Sequence, residues 1–277
     1  NNFCSYCIVP MVRGRAISRP VNEILSHIRQ VIDLDFKEVV LTGVNISRYN
    51  YENINFETLL EKILDIPGNF RVRISSIEPE GFGDMLVDLF QHEKLCPHLH
   101  LCLQSGSDRM LQKMRRTYST AEFYNIIEKF RNKYPLFNFT TDVIVGFPGE
   151  TQEDFKATCN MLQNIGFSHV HTFKYSVRKG TRAELMPEHI DENVKRERSE
   201  IIRKIAFENK HQYYSNFIRK NQIMLVERIK NGSIAAGYGE NYLPIELMNQ
   251  KAVKNNFIKV LIKDIREKKN DLVLVAE

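Results

Sequence analysis

Helical and strand patterns alternate along residues 20–176, and this alternation constrains the fold more than any other feature of the sequence. Helical patterns lie near residues 21–34, 56–66, 83–93, 120–133 and 152–165. Short β-branched or apolar runs lie between them at 38–42, 71–77, 98–104, 139–145 and 169–175. Successive runs are roughly 30–40 residues apart, the length of one strand–helix–strand unit. The pattern predicts an α/β fold with a parallel sheet.

Local signals mark where several of these helices begin and end. Ser119 with Glu122, and Thr151 with Asp154, have the spacing of a capping box. Gly166 follows the last helical pattern and is expected to end it. These signals place the helix boundaries independently of the apolar periodicity.

The strand patterns carry polar residues on one face. In 98–104 the leucines occupy one face, while the other face holds His98, His100, Cys102 and Gln104. A parallel sheet covered by helices on both faces would be apolar on both. The pattern therefore favours a curved sheet around a polar lumen. Because a cysteine-bearing loop precedes the first helix, we expect one further strand upstream, which makes a partial (β/α)6 barrel.

The pattern changes after residue 190. Asp191 is a predicted N-cap for a charged helix that runs to about residue 220. Five short strand patterns follow, at 222–229, 233–238, 243–247, 257–265 and 271–276. Strands of this number and length predict a small antiparallel β-barrel of the size that binds oligonucleotides. The expected division is therefore 1–190, a linking helix at 191–220, and a small barrel at 221–277.

Charge is distributed unevenly between these parts. Residues 1–190 carry 22 basic and 22 acidic side chains, whereas residues 191–277 carry 17 and 12, which accounts for the net charge of +5. This predicts a polyanionic partner for the tail, although a solvated charged helix explains the charge equally well. No apolar run reaches the roughly 18 residues that a membrane span needs. Five irregularly spaced cysteines favour a reducing, cytoplasmic compartment over a disulfide framework.

Cys4 and Cys7 form a Cys-x-x-Cys pair close to the first residue. Such a pair is found in structural zinc sites, in thioredoxin-like redox motifs and as unrelated thiols. It also fits the end of a C-x-x-x-C-x-x-C loop, which binds three irons of a [4Fe-4S] cluster and leaves the fourth iron open. In that case a further cysteine is expected immediately before Asn1. The pair alone leaves these alternatives open.

Five motifs in a fixed order resemble one protein family. They are Cys4-Ser5-Tyr6-Cys7, Arg13-Gly14-Arg15 with Ser18-Arg19-Pro20, Leu41-Thr42-Gly43-Val44-Asn45, Leu103-Gln104-Ser105-Gly106-Ser107-Asp108, and Asp142 to Thr151. The chain resembles the radical S-adenosylmethionine methylthiotransferases, which end in a small RNA-binding barrel called a TRAM domain. Three segments, 37–43, 75–79 and 96–100, are most similar to the branch that acts on threonylcarbamoyladenosine in tRNA. The other branches act on isopentenyladenosine in tRNA or on a ribosomal protein.

The resemblance implies roles for individual residues. The implied cluster ligands are Cys4 and Cys7, and the implied contacts to S-adenosylmethionine are Tyr6, Gly43, Asn45, Ser75, Glu78, Gln104, Ser105, Asp142 and Gly146. Arg13, Arg15 and Arg19 are expected to meet the phosphates of an RNA substrate. Purely structural roles remain as alternatives for several of them, since Tyr6 could anchor its loop and the arginines could belong to a solvated basic loop.

The resemblance also implies a reaction and its participants. Radical chemistry from the [4Fe-4S] cluster and S-adenosylmethionine would insert a methylthio group at C2 of the modified adenosine at position 37 of tRNA. A second [4Fe-4S] cluster belongs to an amino-terminal domain that this sequence lacks, so we expect residues 1–277 to be inactive alone. The expected partners are the anticodon stem-loop and an electron donor such as flavodoxin or ferredoxin. A non-catalytic RNA-binding protein is the alternative from a different class.

Overall fold

The structure is a computed structural model that describes residues 3–14, 16–230, 233–248, 252–268 and 271–277. The helices are α1 (Val9–Arg13), α2 (Val21–Asp33), α3 (Phe56–Leu64), α4 (Asp84–Leu89), α5 (Asp108–Lys113), α6 (Thr120–Lys133), α7 (Gln152–Ile165) and α8 (Glu192–Ser215). The strands of the first part are β1 (Glu38–Leu41), β2 (Asn50–Tyr51), β3 (Ile54–Asn55), β4 (Arg71–Ile74), β5 (Ser76–Ile77), β6 (His98–Leu101), β7 (Asn138–Val145) and β8 (His169–Lys174). Five more strands, β9 (Asn221–Lys230), β10 (Ile234–Tyr238), β11 (Pro244–Met248), β12 (Phe257–Lys268) and β13 (Asp271–Ala276), form the last part.

The predicted parallel sheet is present. It consists of two hydrogen-bonded parts, in which β1 pairs with β4, and β5, β6, β7 and β8 pair in that order, with every pairing parallel. β4 and β5 lie on one predicted strand that is interrupted at Ser75, whose backbone N–H donates to the carbonyl of Leu41 at 2.9 Å. The described residues supply the five strand positions predicted within this sequence, and the sixth, upstream strand stays a prediction.

Helices cover the apolar face of the sheet, as the alternation in the strands requires. Val72, Ile74 and Leu99 are fully buried and share one core cluster with helical residues such as Leu60 and Phe123. Each of these strand residues alternates with a polar neighbour that points to the opposite face. That opposite face forms the polar lumen expected from the sequence.

The helix termini follow the sequence signals closely. Ser119 and Thr151 both form complete capping boxes, and Gly166 ends α7 in the left-handed conformation. The Asp191 side chain accepts a hydrogen bond from the backbone of Asn193 and begins α8. α8 ends at Ser215, five residues earlier than predicted. The short α1, α5 and the β2–β3 hairpin were not predicted, because segments of two to six residues carry too little periodicity.

The five strands of the last part close into a barrel in the order β10-β11-β13-β12-β9. The prediction of an antiparallel barrel needs one correction, since β11 and β13 pair in parallel, with Ile245 opposite Leu274. In the sequence, β12 comes between β11 and β13 and runs antiparallel to β13. Because the chain returns through β12, β11 and β13 run in the same direction. Met224, Val226 and Ile262 are fully buried in the barrel interior.

The small barrel lies against the starts of the parallel strands. The guanidinium of Arg73 lies 3.8 Å from the centre of the Tyr242 ring. The ring of Tyr242 also lies 5.0 Å from that of His98, at the start of β6. At the start of β7, Asn138 Nδ2 donates to the carbonyl of Asn241 at 2.7 Å. The small barrel thus closes the polar lumen at the starts of the strands. It does not cover their carboxyl ends. No helix among the described residues is long and apolar enough to cross a membrane.

Candidate functional site

The cysteine pair lies on a turn that is fastened to the body of the protein. The backbone N–H of Cys7 donates to the carbonyl of Cys4 at 3.1 Å, which closes the turn. Between them, Ser5 donates through its backbone to Met114 at 3.0 Å and through its hydroxyl to Lys113 at 2.8 Å. These bonds hold the turn at the end of α5. Cys4 is buried, Cys7 is half-buried, and both thiols are free.

A buried arginine that the sequence interpretation missed contacts the first of these thiols. Arg116 Nη1 donates to Cys4 Sγ at 3.1 Å, while Nη2 pairs with the carboxylate of Glu78. Burial raises the pKa of the Cys4 thiol, and the guanidinium acts against that rise by favouring the thiolate. Arg116 therefore stabilises the charge state in which a cysteine binds metal. No local signal indicates this contact, since 112 residues separate the two side chains.

A large cavity opens beside the cysteine turn. It has a volume of about 920 Å³, which matches the size of sites for cofactor-sized ligands. Nine predicted site residues line it: Cys4, Tyr6, Cys7, Arg13, Arg19, Gly43, Asn45, Glu78 and Gln104. Arg15 lies outside the described residues. The cysteine turn and residues that follow β1, β5 and β6 thus line one cavity.

Two buried polar atoms near this cavity have no hydrogen-bond partner in the part of the chain that the structure describes. These are Asn45 Nδ2, on the cavity wall, and Ser75 Oγ, at the break between β4 and β5. The amide of Asn45 is oriented by Ser47, whose hydroxyl donates to Asn45 Oδ1 at 2.8 Å. Because unpartnered buried polar groups are costly, a buried group of this kind is typical of a ligand site. Both atoms belong to residues predicted to contact S-adenosylmethionine.

Gln104 adopts an unusual backbone conformation where β6 reaches the cavity. Its φ is 65°, in the left-handed region that non-glycine residues rarely occupy. Two backbone bonds to β7 hold it there: its N–H donates to Asp142 at 2.8 Å, and its carbonyl accepts from Ile144 at 2.9 Å. Such strain is held in place by surrounding structure and is common where a side chain must be aimed at a ligand.

Four predicted site residues do not line the cavity: Ser75, Ser105, Asp142 and Gly146. The Ser105 hydroxyl lies 3.4 Å from that of Thr158 on α7 and is fully buried. Asp142 lies in the lumen with one oxygen 3.2 Å from His100 Nε2. The backbone N–H of Gly146 donates to Glu150 Oε2 at 2.7 Å. Ser105 contacts α7, and Gly146 contacts Glu150 in the loop after β7. Their predicted roles toward S-adenosylmethionine therefore stay predictions.

Gly146 has a packing reason for lacking a side chain. Its φ of 70° favours glycine, and a Cβ built on it would lie 2.3 Å from Lys195 Cγ of α8. The aromatic residue Tyr6 is also packed, with its ring centre 6.2 Å from that of Phe147. The loop after β7 is therefore held between the cysteine turn and α8.

Comparisons with known proteins identify the family. Residues 1–162, more than half of the chain, match the Radical SAM superfamily. Two solved structures share the fold: a methylornithine synthase (TM-score 0.53, 16% identity, 76% of this chain and 59% of that one) and a coproporphyrinogen III oxidase from Escherichia coli (TM-score 0.51, 11% identity, 94% and 64%).

Curated relatives are more similar in sequence. A threonylcarbamoyladenosine tRNA methylthiotransferase from Chlamydia pneumoniae is 39% identical over 86% of this chain and 56% of its own length. One of the same name from Thermotoga maritima is 36% identical over 96% and 62%. A tRNA-2-methylthio-N(6)-dimethylallyladenosine synthase from Fusobacterium nucleatum is 38% identical over 96% and 62%. The chain spans less than two thirds of the length of these relatives. It belongs to the Radical SAM superfamily.

Proposed function

We propose that this chain is the catalytic portion of a tRNA methylthiotransferase that modifies C2 of N6-threonylcarbamoyladenosine at position 37. The observation that carries the proposal is the juxtaposition of the Cys4–Cys7 turn with a cavity of about 920 Å³ that is lined by β1 and by residues that follow β1, β5 and β6. The relatives' names supply the reaction class.

The residues at the cysteine turn fit an iron–sulfur cluster. Two free thiols on one turn are soft donors that iron prefers, and a neighbouring guanidinium favours the charged form of Cys4. When bound, the cluster and S-adenosylmethionine supply the one-electron chemistry that activates a C–H bond. Cys4 and Cys7 would hold the cluster. Arg116 would fix the orientation of Cys4 and offset the negative charge gathered at the site.

Other residues of the cavity would bind and orient S-adenosylmethionine. The unpartnered amide of Asn45 and hydroxyl of Ser75 offer hydrogen bonds to polar groups of the cofactor. The Gln104 side chain is directed by a strained backbone that the sheet holds in place. Tyr6 offers a ring face beside the cluster turn. Fixed donors of this kind cost no reorganisation when the cofactor binds.

Basic groups would hold the RNA around the cavity mouth. Arg13 and Arg19 line the cavity, and the Arg19 side chain is 58% exposed with Glu23 at 4.0 Å. Residues 191–277 add the net positive charge of the chain. We propose that the five-stranded barrel, as a TRAM domain at 221–277 joined by the helix at 191–220, binds the anticodon stem-loop through phosphates and shape. The cytoplasm, where tRNA is modified, is the expected compartment.

Further parts of the machinery are expected outside residues 1–277. We propose a third cluster cysteine immediately before Asn1 and a second [4Fe-4S] cluster on an amino-terminal domain. The greater length of the relatives supports this arrangement. An electron donor of the flavodoxin or ferredoxin type would reduce the cluster in the full-length protein. Residues 1–277 alone are then expected to be inactive.

The dimethylallyl (isopentenyl) adenosine class is the second candidate, because a relative of that name is 38% identical, compared with 36% and 39% for the first class. Mass spectrometry of tRNA nucleosides from source cells with and without the gene separates the two. Loss of 2-methylthio-threonylcarbamoyladenosine alone supports the proposal. Loss of the dimethylallyl analogue instead overturns the substrate, and unchanged levels of both overturn the reaction.

A second experiment tests the cluster ligands directly. Full-length protein is reconstituted anaerobically with iron and sulfide, and bound iron is measured for the wild type, Cys7→Ser and Cys159→Ser. Cys159 is the matched control, because it is a half-buried free thiol on α7 that does not line the cavity. We expect Cys7→Ser to lose iron and Cys159→Ser to retain it. Equal iron content in both variants would contradict the assignment.

A further inference from the structure

A second group of metal-binding side chains lies on the lumen face of the sheet. His100 on β6, Asp142 on β7 and His171 on β8 come from three neighbouring strands. Asp142 is directly opposite His171 in the parallel register, and His100 is opposite Thr140, one pleat below Asp142. Because side chains two residues apart share a face, all three project into the lumen. None of them lines the cavity beside the cysteine turn.

The three side chains are close enough to share one ion. Their ligand atoms all lie within 4.8 Å of one another, and His100 Nε2 is 3.2 Å from Asp142 Oδ1. Metal–ligand bonds of roughly 2.0–2.2 Å in tetrahedral geometry place ligand atoms about 3.4 Å apart. The His100–Asp142 separation already meets this requirement. His171 needs only a rotation of an exposed side chain to complete the set.

Neighbouring polar groups orient the two imidazoles. His100 Nδ1 lies 2.9 Å from Thr140 Oγ1, so the other ring nitrogen, Nε2, is directed at Asp142. Thr140 Oγ1 is in turn 3.1 Å from His98 Nε2. On β8, His171 Nδ1 is 3.3 Å from His169 Nε2, which leaves His171 Nε2 available. Metal-binding histidines are typically oriented in this way through their second nitrogen.

An ion can reach this position from outside. A groove of about 790 Å³ runs between the edge strand β8, α8 and the small barrel, and His169 and His171 line it. Three cationic side chains line this groove, Arg203, Lys204 and Lys210, together with three acidic ones, Glu208, Glu267 and Asp271. Lys210 is paired with the carboxylate of Asp271, which offsets its repulsion of a cation. The position is therefore separate from the cysteine turn and has its own approach.

We propose that His100, Asp142 and His171 form a binding site for a single divalent first-row metal ion of the zinc, cobalt or ferrous class. Two imidazoles and one carboxylate suit these borderline ions better than calcium or magnesium, which prefer oxygen ligands alone. Three protein ligands leave at least one coordination position open to the lumen for water or a substrate donor atom.

Cobalt titration followed by absorption spectroscopy tests the site. The protein is the full-length chain carrying Cys4→Ala and Cys7→Ala, and cobalt bound by the remaining cysteines is the same in every variant. We expect saturable binding of one Co²⁺ that depends on His171, with visible d–d bands of nitrogen and oxygen ligation. Adding His171→Ala should weaken binding by at least about 100-fold, since loss of an outer-sphere partner alone costs about 10–100-fold.

Two further variants make the result specific. Thr140→Val keeps all three ligands but removes the partner of His100 Nδ1, and it should weaken cobalt binding by about 10–100-fold. His211→Ala removes an exposed histidine of α8 outside the cluster and should leave binding unchanged. Since His171 is exposed, its replacement leaves the far-ultraviolet circular dichroism intact. Failure of the His171-dependent binding of Co²⁺ to saturate, or equal affinities for His171→Ala and His211→Ala, would each overturn the proposal.

Discussion

Replacing Arg198 by methionine should remove the charge that compensates a buried carboxylate. Arg198 on α8 and Glu150, in the loop after β7, have side chains only 8% and 1% exposed. Arg198 Nη1 donates to Glu150 Oε2 at 2.5 Å and to the Glu150 carbonyl at 3.1 Å. The same carboxylate oxygen accepts from the Gly146 backbone at 2.7 Å. The pair therefore joins α8 to the loop that follows β7.

The expected loss follows from this burial. In Arg198→Met the Glu150 carboxylate keeps one backbone donor and loses its only described ionic partner. Removing one partner of a buried pair costs about 3–5 kcal/mol of unfolding free energy. The pair Lys129–Asp84 is a matched control, because its side chains are 59% and 81% exposed. Lys129→Met should change the unfolding free energy by no more than about 1 kcal/mol.

The loss should also depend on pH in a defined direction. Burial already raises the pKa of Glu150, and removal of the guanidinium raises it further. Between the unfolded value of 4.5 and this raised value, the folded state binds a proton that the unfolded state does not. The unfolding free energy of Arg198→Met should therefore rise as pH is lowered from 7.5 toward 4.5, relative to the wild type.

Urea denaturation, followed by tyrosine fluorescence and circular dichroism, measures these quantities, since the chain has no tryptophan. The double variant Arg198→Met with Glu150→Gln replaces the carboxylate by a neutral amide and should recover most of the loss. A loss below about 1 kcal/mol at pH 7.5, or a double variant no more stable than the single one, would refute the reasoning.

Two other substitutions test packing and burial. Gly106→Ala should lower the unfolding free energy by about 1–3 kcal/mol, because the new Cβ would lie 2.6 Å from the backbone Cα of Thr158. A urea midpoint equal to that of the wild type would contradict this packing. Burial lowers the pKa of His98 well below its usual value of 6.5, so the unfolded state alone takes up a proton as pH falls below 6.5. The unfolding free energy of the wild type should therefore fall by about 1.4 kcal/mol between pH 7.5 and 5.5. The unfolding free energy of His98→Gln should not show this fall, and the urea midpoints of the two proteins measure the difference.

Much of the fold follows from local patterns. The strand predicted at 139–145 is β7 (Asn138–Val145), and the helices predicted at 120–133 and 152–165 have those same limits. Apolar periodicity and capping residues are signals within one segment, so they predict helices and strands without knowledge of tertiary contacts. α4 and α8 are shorter than predicted, since α4 ends at Leu89 and α8 ends at Ser215.

The candidate site was only partly predictable. The cysteine turn, Asn45 and Gln104 follow strand ends or precede the first helix, and the carboxyl ends of parallel strands meet at one edge. The family resemblance named these residues, and the strand order is consistent with their lying together. It could not show that the Ser105 hydroxyl faces α7, because strand alternation does not extend into the turn that follows β6.

The sequence by itself determined the alternation of elements, the polar lumen and the cysteine turn, since each depends on residues within one strand, helix or loop. Only the tertiary structure decided which distant side chains meet. Arg116 reaches Cys4, Tyr242 closes the lumen over Arg73, and His100 meets Asp142 through the stagger between β6 and β7. Such contacts depend on strand register and on how one layer packs against another. Neither is encoded in the periodicity of a single segment.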